Sequence, residues 1–199
     1  MIKVAFTLLL LACTSCTTDY PVSKLAEIQP AYDEITLRLV YSEHKPSDSD
    51  IKVFSNAIVK YGLAKKVYIS QRKVEYDREV WDVISLEVFR AFAGVSHKKN
   101  SRKKLYLDMY YLPGIYLHVN SKLVAGLASY HKSFISVFYG GINSKCIRYV
   151  MIHEILHIIG MDHCKNKKCI MYPSMSKEQR VLKPNCLKNL RGVIRRHNN

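Results

Sequence analysis

Hydrophobic positions change period along the chain. Ile35-Thr36-Leu37-Arg38-Leu39-Val40-Tyr41 alternates with a period near two, which predicts a first strand. Past the breaker His44-Lys45-Pro46, Ser47 is placed to cap a helix. Its apolar residues Ile51, Phe54, Ala57, Ile58 and Tyr61 recur at helical spacing, and Gly62 ends it. Residues 66–70 read as a second strand. Val80, Val83, Ile84, Val88, Ala91 and Phe92 mark a second amphipathic helix closed by Gly94, and residues 97–104 form a polar, basic loop. Tyr-rich strands follow at 105–112 and 115–119, on either side of Pro113-Gly114, and then at 123–130 and 134–139 before Gly140-Gly141. Residues 181–196 carry a carboxy-terminal helical pattern, with Pro184 in its first turn. Strands alternating with helices, then several short strands, predict an α+β fold with helices layered on a mixed, twisted sheet.

The 199 residues are 48% hydrophobic and include 14 Tyr and 6 Phe, enough for a buried core, which excludes a disordered or collagen-like chain. No segment recurs at a fixed period, so a repeat array is excluded too. A net charge of +15 suits nucleic acid, an anionic membrane surface or an acidic substrate, and does not choose among them. The amino terminus narrows the choice. MIKVAFTLLLLA places one Lys before an apolar run from Val4 to Ala12, well short of the ~20 residues that span a bilayer, and reads as a secretory signal. Leu10-Leu11-Ala12-Cys13 resembles the bacterial lipobox, which implies a lipidated Cys13 as the first mature residue. Cys16 is the alternative, without the aliphatic residue upstream. The expected organisation is a signal at 1–12, a lipidated tether at 13–32 and one folded domain at 33–199. The expected location is a bacterial membrane, facing the periplasm or the cell surface. Disulfides persist after export, and Cys146, Cys164, Cys169 and Cys186 allow three pairings.

The chemistry is concentrated in His153-Glu154-Ile155-Leu156-His157-Ile158-Ile159-Gly160-Met161-Asp162-His163. His153 and His157 stand four apart, so a helix projects both imidazoles from one face at a separation suited to a single Zn²⁺. Val150, Ile152, Ile155, Leu156 and Ile159 cover the rest of that helix. Gly160 can take a positive φ and end the helix sharply, bringing His163 back as a third ligand. Three protein ligands leave one coordination position open, as in a catalytic zinc site. Glu154 is placed beside the metal without binding it, as a general base for hydrolysis of a peptide carbonyl by an activated water. His44, His97, His118, His131 and His197 lack ligand spacing and are assigned surface or packing roles.

H-E-x-x-H-x-x-G-x-x-H matches the signature of the metzincin clan of zinc endopeptidases in full. The resemblance implies a zincin fold with an active-site helix, an amino-terminal subdomain at 33–160 and a small carboxy-terminal subdomain at 161–199. It also implies a Met beneath the zinc, supplied by Met171, with Met175 the less well placed alternative. The stretch 123–129 resembles the edge strand that metzincins lay antiparallel to substrate; an ordinary sheet strand is the alternative. Where some metzincins carry a Tyr ligand two residues after the Met, this chain has Pro173. Cys164 after the third His, then Cys169 and Met171, looks like the archaemetzincin family, whose four cysteines hold a second zinc. Here the distal pair is broken, because Cys186-Leu187-Lys188-Asn189 keeps only its first cysteine. Either Cys146 replaces the missing ligand or the four cysteines form two disulfides; an oxidising compartment favours disulfides and a single catalytic zinc. The expected function is a membrane-anchored, monomeric zinc endopeptidase acting on peptide or protein substrates. With no nucleic-acid motif and Lys and Arg spread over loops, no nucleic-acid partner is expected. The alternative is a non-proteolytic, zinc-containing peptide-binding lipoprotein, against which the intact Glu154 speaks.

Overall fold

The computed structural model describes residues 29–75, 103–113, 116–117, 123–129, 133–140, 144–174 and 182–198. The signal and most of the tether with Cys13 and Cys16, the helix expected from residue 80 to 94, residues 97–102, His118, His131 and Met175 lie outside them. Strand β1 (Tyr32–Tyr41) pairs in parallel with both β2 (Ala64–Lys73) and β3 (Lys104–Leu112). With a neighbour on each side it is a central strand, and Ile35, Leu37 and Leu39 are all at most 1% exposed. It begins before Ile35 because buried Tyr32 is already in register with Ala64. The charged pair Arg38 and Asp108 falls at the same register position, where the guanidinium donates to both carboxylate oxygens at 2.9 and 2.6 Å. Asp108 is buried, so this two-pronged bond penalises any slip of β1 against β3.

The parallel β1–β2 pair needs a crossover, supplied by α1 (Asp48–Lys60). As the sequence predicts, Ser47 caps it, its hydroxyl accepting from the Asp50 amide and donating to the Asp50 carboxylate. Gly62, at φ 69°, closes the other end through Leu63 N–H to Ile58 C=O and Gly62 N–H to Val59 C=O, both 3.0 Å. That pair of bonds satisfies the last carbonyls of the helix and reverses the chain into β2.

Beyond β3 the expected strand at 123–130 divides. β5 (Leu123–Val124) pairs with β4 (Tyr116–Leu117), and after Ala125 the chain changes partner, β6 (Gly126–Ser129) running antiparallel to β7 (Phe134–Phe138). The main sheet is ordered β2-β1-β3-β7-β6, four parallel strands with antiparallel β6 at one end. Helix α2 (Ser144–Ile158) packs on β6, β7 and α1. Helix α3 (Pro184–Asn198) starts at Pro184, three residues later than its hydrophobic pattern suggests, because proline's fixed φ and missing N–H suit the first helical position. Its buried face is Cys186, Leu190, Val193 and Ile194. These join Leu37, Phe54, Leu107, Ile135, Met151, Ile155 and Met171 in one core. Burying each such aliphatic side chain contributes about 1.5–3 kcal/mol, so the site-bearing helix is held rigidly between sheet and helices. The fold is α+β on a mixed sheet. Among the described residues no helix is long and apolar enough to cross a membrane.

Candidate metal centre

Helix α2 carries His153 and His157 one turn apart, their Nε2 atoms 3.0 Å from each other. It ends as the glycine requires. Gly160 takes φ 95°, its N–H reaches His157 C=O at 2.9 Å, and Met161 N–H reaches Leu156 C=O at 3.0 Å. This left-handed stop turns the chain back, and His163 Nε2 arrives 3.2 Å from His157 Nε2. All three ligand nitrogens lie within 4.8 Å of one another.

The tautomers follow from the partners on the far side of the rings. His153 Nδ1 donates to Ile170 C=O and His157 Nδ1 donates to Met161 C=O, each at 2.7 Å; a carbonyl can only accept, so in the neutral rings the proton is on Nδ1. Both Nε2 lone pairs are therefore bare and face each other with no proton to share. Burial pushes the His153 pKa down to about 4 and lowers those of His157 and His163, so protonation does not relieve the arrangement near neutral pH. A cation does relieve it. Nitrogen ligands at about 2.0–2.1 Å around a tetrahedral Zn²⁺ stand roughly 3.3 Å apart, close to the observed spacings, so the residues fit zinc. The ring-to-carbonyl bonds fix the tautomer and the ring orientation, as outer hydrogen-bond partners do in zinc sites. No sequence signal marked Ile170 and Met161 for this, because the groups involved are main-chain carbonyls.

Glu154, next to His153, is 6% exposed, and burial pushes its carboxyl up to about 8. Met171 is fully buried in the core, and its C=O accepts from Cys164 N–H at 2.7 Å. The segment Ile170-Met171 thus ties both the first imidazole and the chain after the third. Three cysteines converge: Cys164, Cys169 and Cys186 have their sulfurs within 4.8 Å, Cys169 Sγ donating to Cys186 Sγ at 2.8 Å. Cys146, in the first turn of α2, stands outside that trio. Away from the site, His197 Nε2 lies 3.1 Å from Ile159 C=O and its ring tilts against Tyr32, while His44 meets Tyr139 edge-on.

The family model of the matrixin peptidases matches residues 77–188, more than half of the chain and the whole histidine motif. The chain belongs to the matrixin family. This matrixin-family chain is a zinc metallopeptidase with a metzincin-like fold. Its structure is similar to that of archaemetzincin from Methanopyrus kandleri, at 16% identity and a TM-score of 0.60, over 83% of this chain and 98% of that one. It is also similar to metalloproteinase-II from Bacteroides fragilis, at 18% identity and a TM-score of 0.54, over 82% of this chain and 54% of that one. No curated protein matches it significantly in sequence. The matrixin model thus stands beside the archaemetzincin-like cysteine spacing, and the likeness to archaemetzincin is one of fold.

Proposed function

We propose that the protein is an endopeptidase in which His153, His157 and His163 hold one catalytic zinc and Glu154 is the general base. The observation that carries this reading is the set of converging, unprotonated Nε2 atoms on a helix whose buried Glu154 directly follows the first ligand. Zinc bound there supplies a Lewis acid that polarises a peptide carbonyl and acidifies a water. Glu154 accepts the proton of the attacking water and returns it to the leaving amine, so no acyl-enzyme forms. Burial suits it to both tasks: with a pKa pushed up to about 8, its ionised and protonated forms are close in energy near neutral pH. Among the described residues β6 is bonded on one side only, to β7, and an extended peptide pairs with its other edge. Met171 fills the core below and braces the turn whose carbonyls orient the ligands.

The remainder of the proposal rests on the sequence of residues 1–28. The chain is exported, anchored through a lipid on Cys13, acts as a monomer on peptide or protein substrates at a bacterial membrane, and binds no nucleic acid. In that oxidising setting Cys169 and Cys186 are the pair set to close into a disulfide, leaving one zinc per chain. The test is hydrolysis of a peptide library by the purified protein, with and without chelator, beside Glu154→Ala. Turnover that survives chelation or the substitution sinks the peptidase mechanism.

A further inference from the structure

The structure assigns to Gly126 a positioning role for the Glu154 carboxyl, a step that rests on Glu154 being the general base. Gly62 and Gly160 adopt positive φ, but Gly126 does not, so its backbone conformation is open to any residue. What it supplies is space. A Cβ built on Gly126 falls 2.6 Å from Glu154 Oε1, 2.8 Å from Glu154 Cγ and 2.6 Å from Val150 Cγ1. Real Cβ atoms do not come that close to other heavy atoms, so the missing side chain is what lets the strand rest directly on the carboxyl.

The position of Gly126 along the chain makes this contact rigid on the strand side. It is the first residue of β6, immediately after Ala125, where the chain leaves β4 for β7. Ala125 C=O accepts from Phe138 N–H at 2.9 Å and Gly126 is in register with Val137. On the helix side Val150 is β-branched and confined to one rotamer in a helix, and it is buried at 3% exposure. Of the atoms that a new methyl meets, those of Glu154 belong to the long, rotatable side chain. A methyl at 126 therefore displaces the carboxyl from its place, and its contact with Val150 also presses the strand away from the helix. The three atoms nearest the added Cβ belong to Glu154 and Val150, not to a histidine.

The experiment uses the zinc-loaded full chain. Gly126→Ala should lower kcat about a hundredfold, the scale of loss for a misplacement of about 1 Å. KM should change no more than about twofold, with zinc content unchanged. In the Glu154→Ala background, which lacks both Glu154 atoms that meet the added Cβ, Gly126→Ala should cost clearly less stability than it does in the wild-type protein. Equal losses of stability in both backgrounds overturn the proposal, as does an unchanged kcat in Gly126→Ala. If Gly126→Ala alone fails to fold, the stability of two double variants decides. Recovery with Glu154→Ala supports the role, whereas recovery only with Val150→Ala shows a packing contact with the helix and overturns it. Wild-type protein without zinc-dependent hydrolysis sinks the proposed function instead, and the stability comparison still reports on the Gly126–Glu154 contact.

Discussion

The histidine and cysteine trios lie side by side in sequence, at 153, 157 and 163 and at 164, 169 and 186, and each gathers its ligand atoms within 4.8 Å. Their proton inventories differ. In His153 and His157 a carbonyl holds the proton on the outer nitrogen, so the inner lone pairs are bare before any metal arrives. In the cysteine trio the Cys169 thiol donates to the Cys186 sulfur; burial pushes the Cys186 thiol up, while at Cys164 burial is outweighed by hydrogen bonds from Cys186, the Asn166 amide and Cys169, which lower it. Main-chain carbonyls thus ready the histidine nitrogens, whereas Cys169 and Cys186 bond to each other and the Cys164 sulfur accepts from the Asn166 amide at 3.4 Å.

The sharpest way to break this contrast is to remove a member of each trio. His157→Ala should release zinc and bring peptide hydrolysis to background, whereas Cys186→Ser should keep about one zinc and most of the activity, as read by metal analysis and kcat. A loss of metal from both variants erases the distinction. Glu154→Gln should keep the zinc and lose activity by about a hundred- to ten-thousandfold, the span of general-base catalysis.

The next effect concerns the pH stability of the chelated chain. Glu154 has its folded pKa raised to about 8, so its contribution is fully present below the unfolded value of 4.5 and is lost as pH rises through 8. His153, lowered to about 4, works in the opposite sense: its contribution is present above 6.5 and is lost as pH falls through 4. The two oppose each other between 4.5 and 6.5, and Glu154 acts alone above that. Urea unfolding should therefore show stability falling by about 2 kcal/mol from pH 6.5 to 8, and this fall should vanish in Glu154→Gln. A smaller effect is expected at the helix stop, where Gly160→Ala forces a side chain into φ 95°. It should cost about 1–2 kcal/mol in thermal unfolding and weaken zinc retention by disturbing the Met161 carbonyl. The smallest belongs to Cys186→Ser measured on the reduced chain, about 1 kcal/mol for a buried hydroxyl.

Much of the site was legible because it is local. The i, i+4 histidines, the adjacent carboxylate and the glycine stop all act within three helical turns, where backbone periodicity alone fixes which side chains share a face. The ends of α1 were legible for the same reason, Ser47 and Gly62 being signals read by their immediate neighbours. Reading failed where a residue's role depends on a distant partner. The continuous strand expected at 123–130 broke at Ala125 because β4 and β7 compete for it, and that competition is absent from a local pattern. Which cysteines come together was likewise not local: the fold sets Cys146 in the first turn of α2 and Cys186 beside Cys169.

By itself, then, the sequence determined the chemistry: a helix bearing two nitrogens and a carboxylate, ended so that a third nitrogen returns. Tertiary structure decided how that chemistry is tuned. The carbonyls of Ile170 and Met161, the burial of Glu154 and the bare backbone of Gly126 against it all come from packing between segments. Main-chain groups and empty space carry no side-chain identity, and so no pattern of residues could announce them.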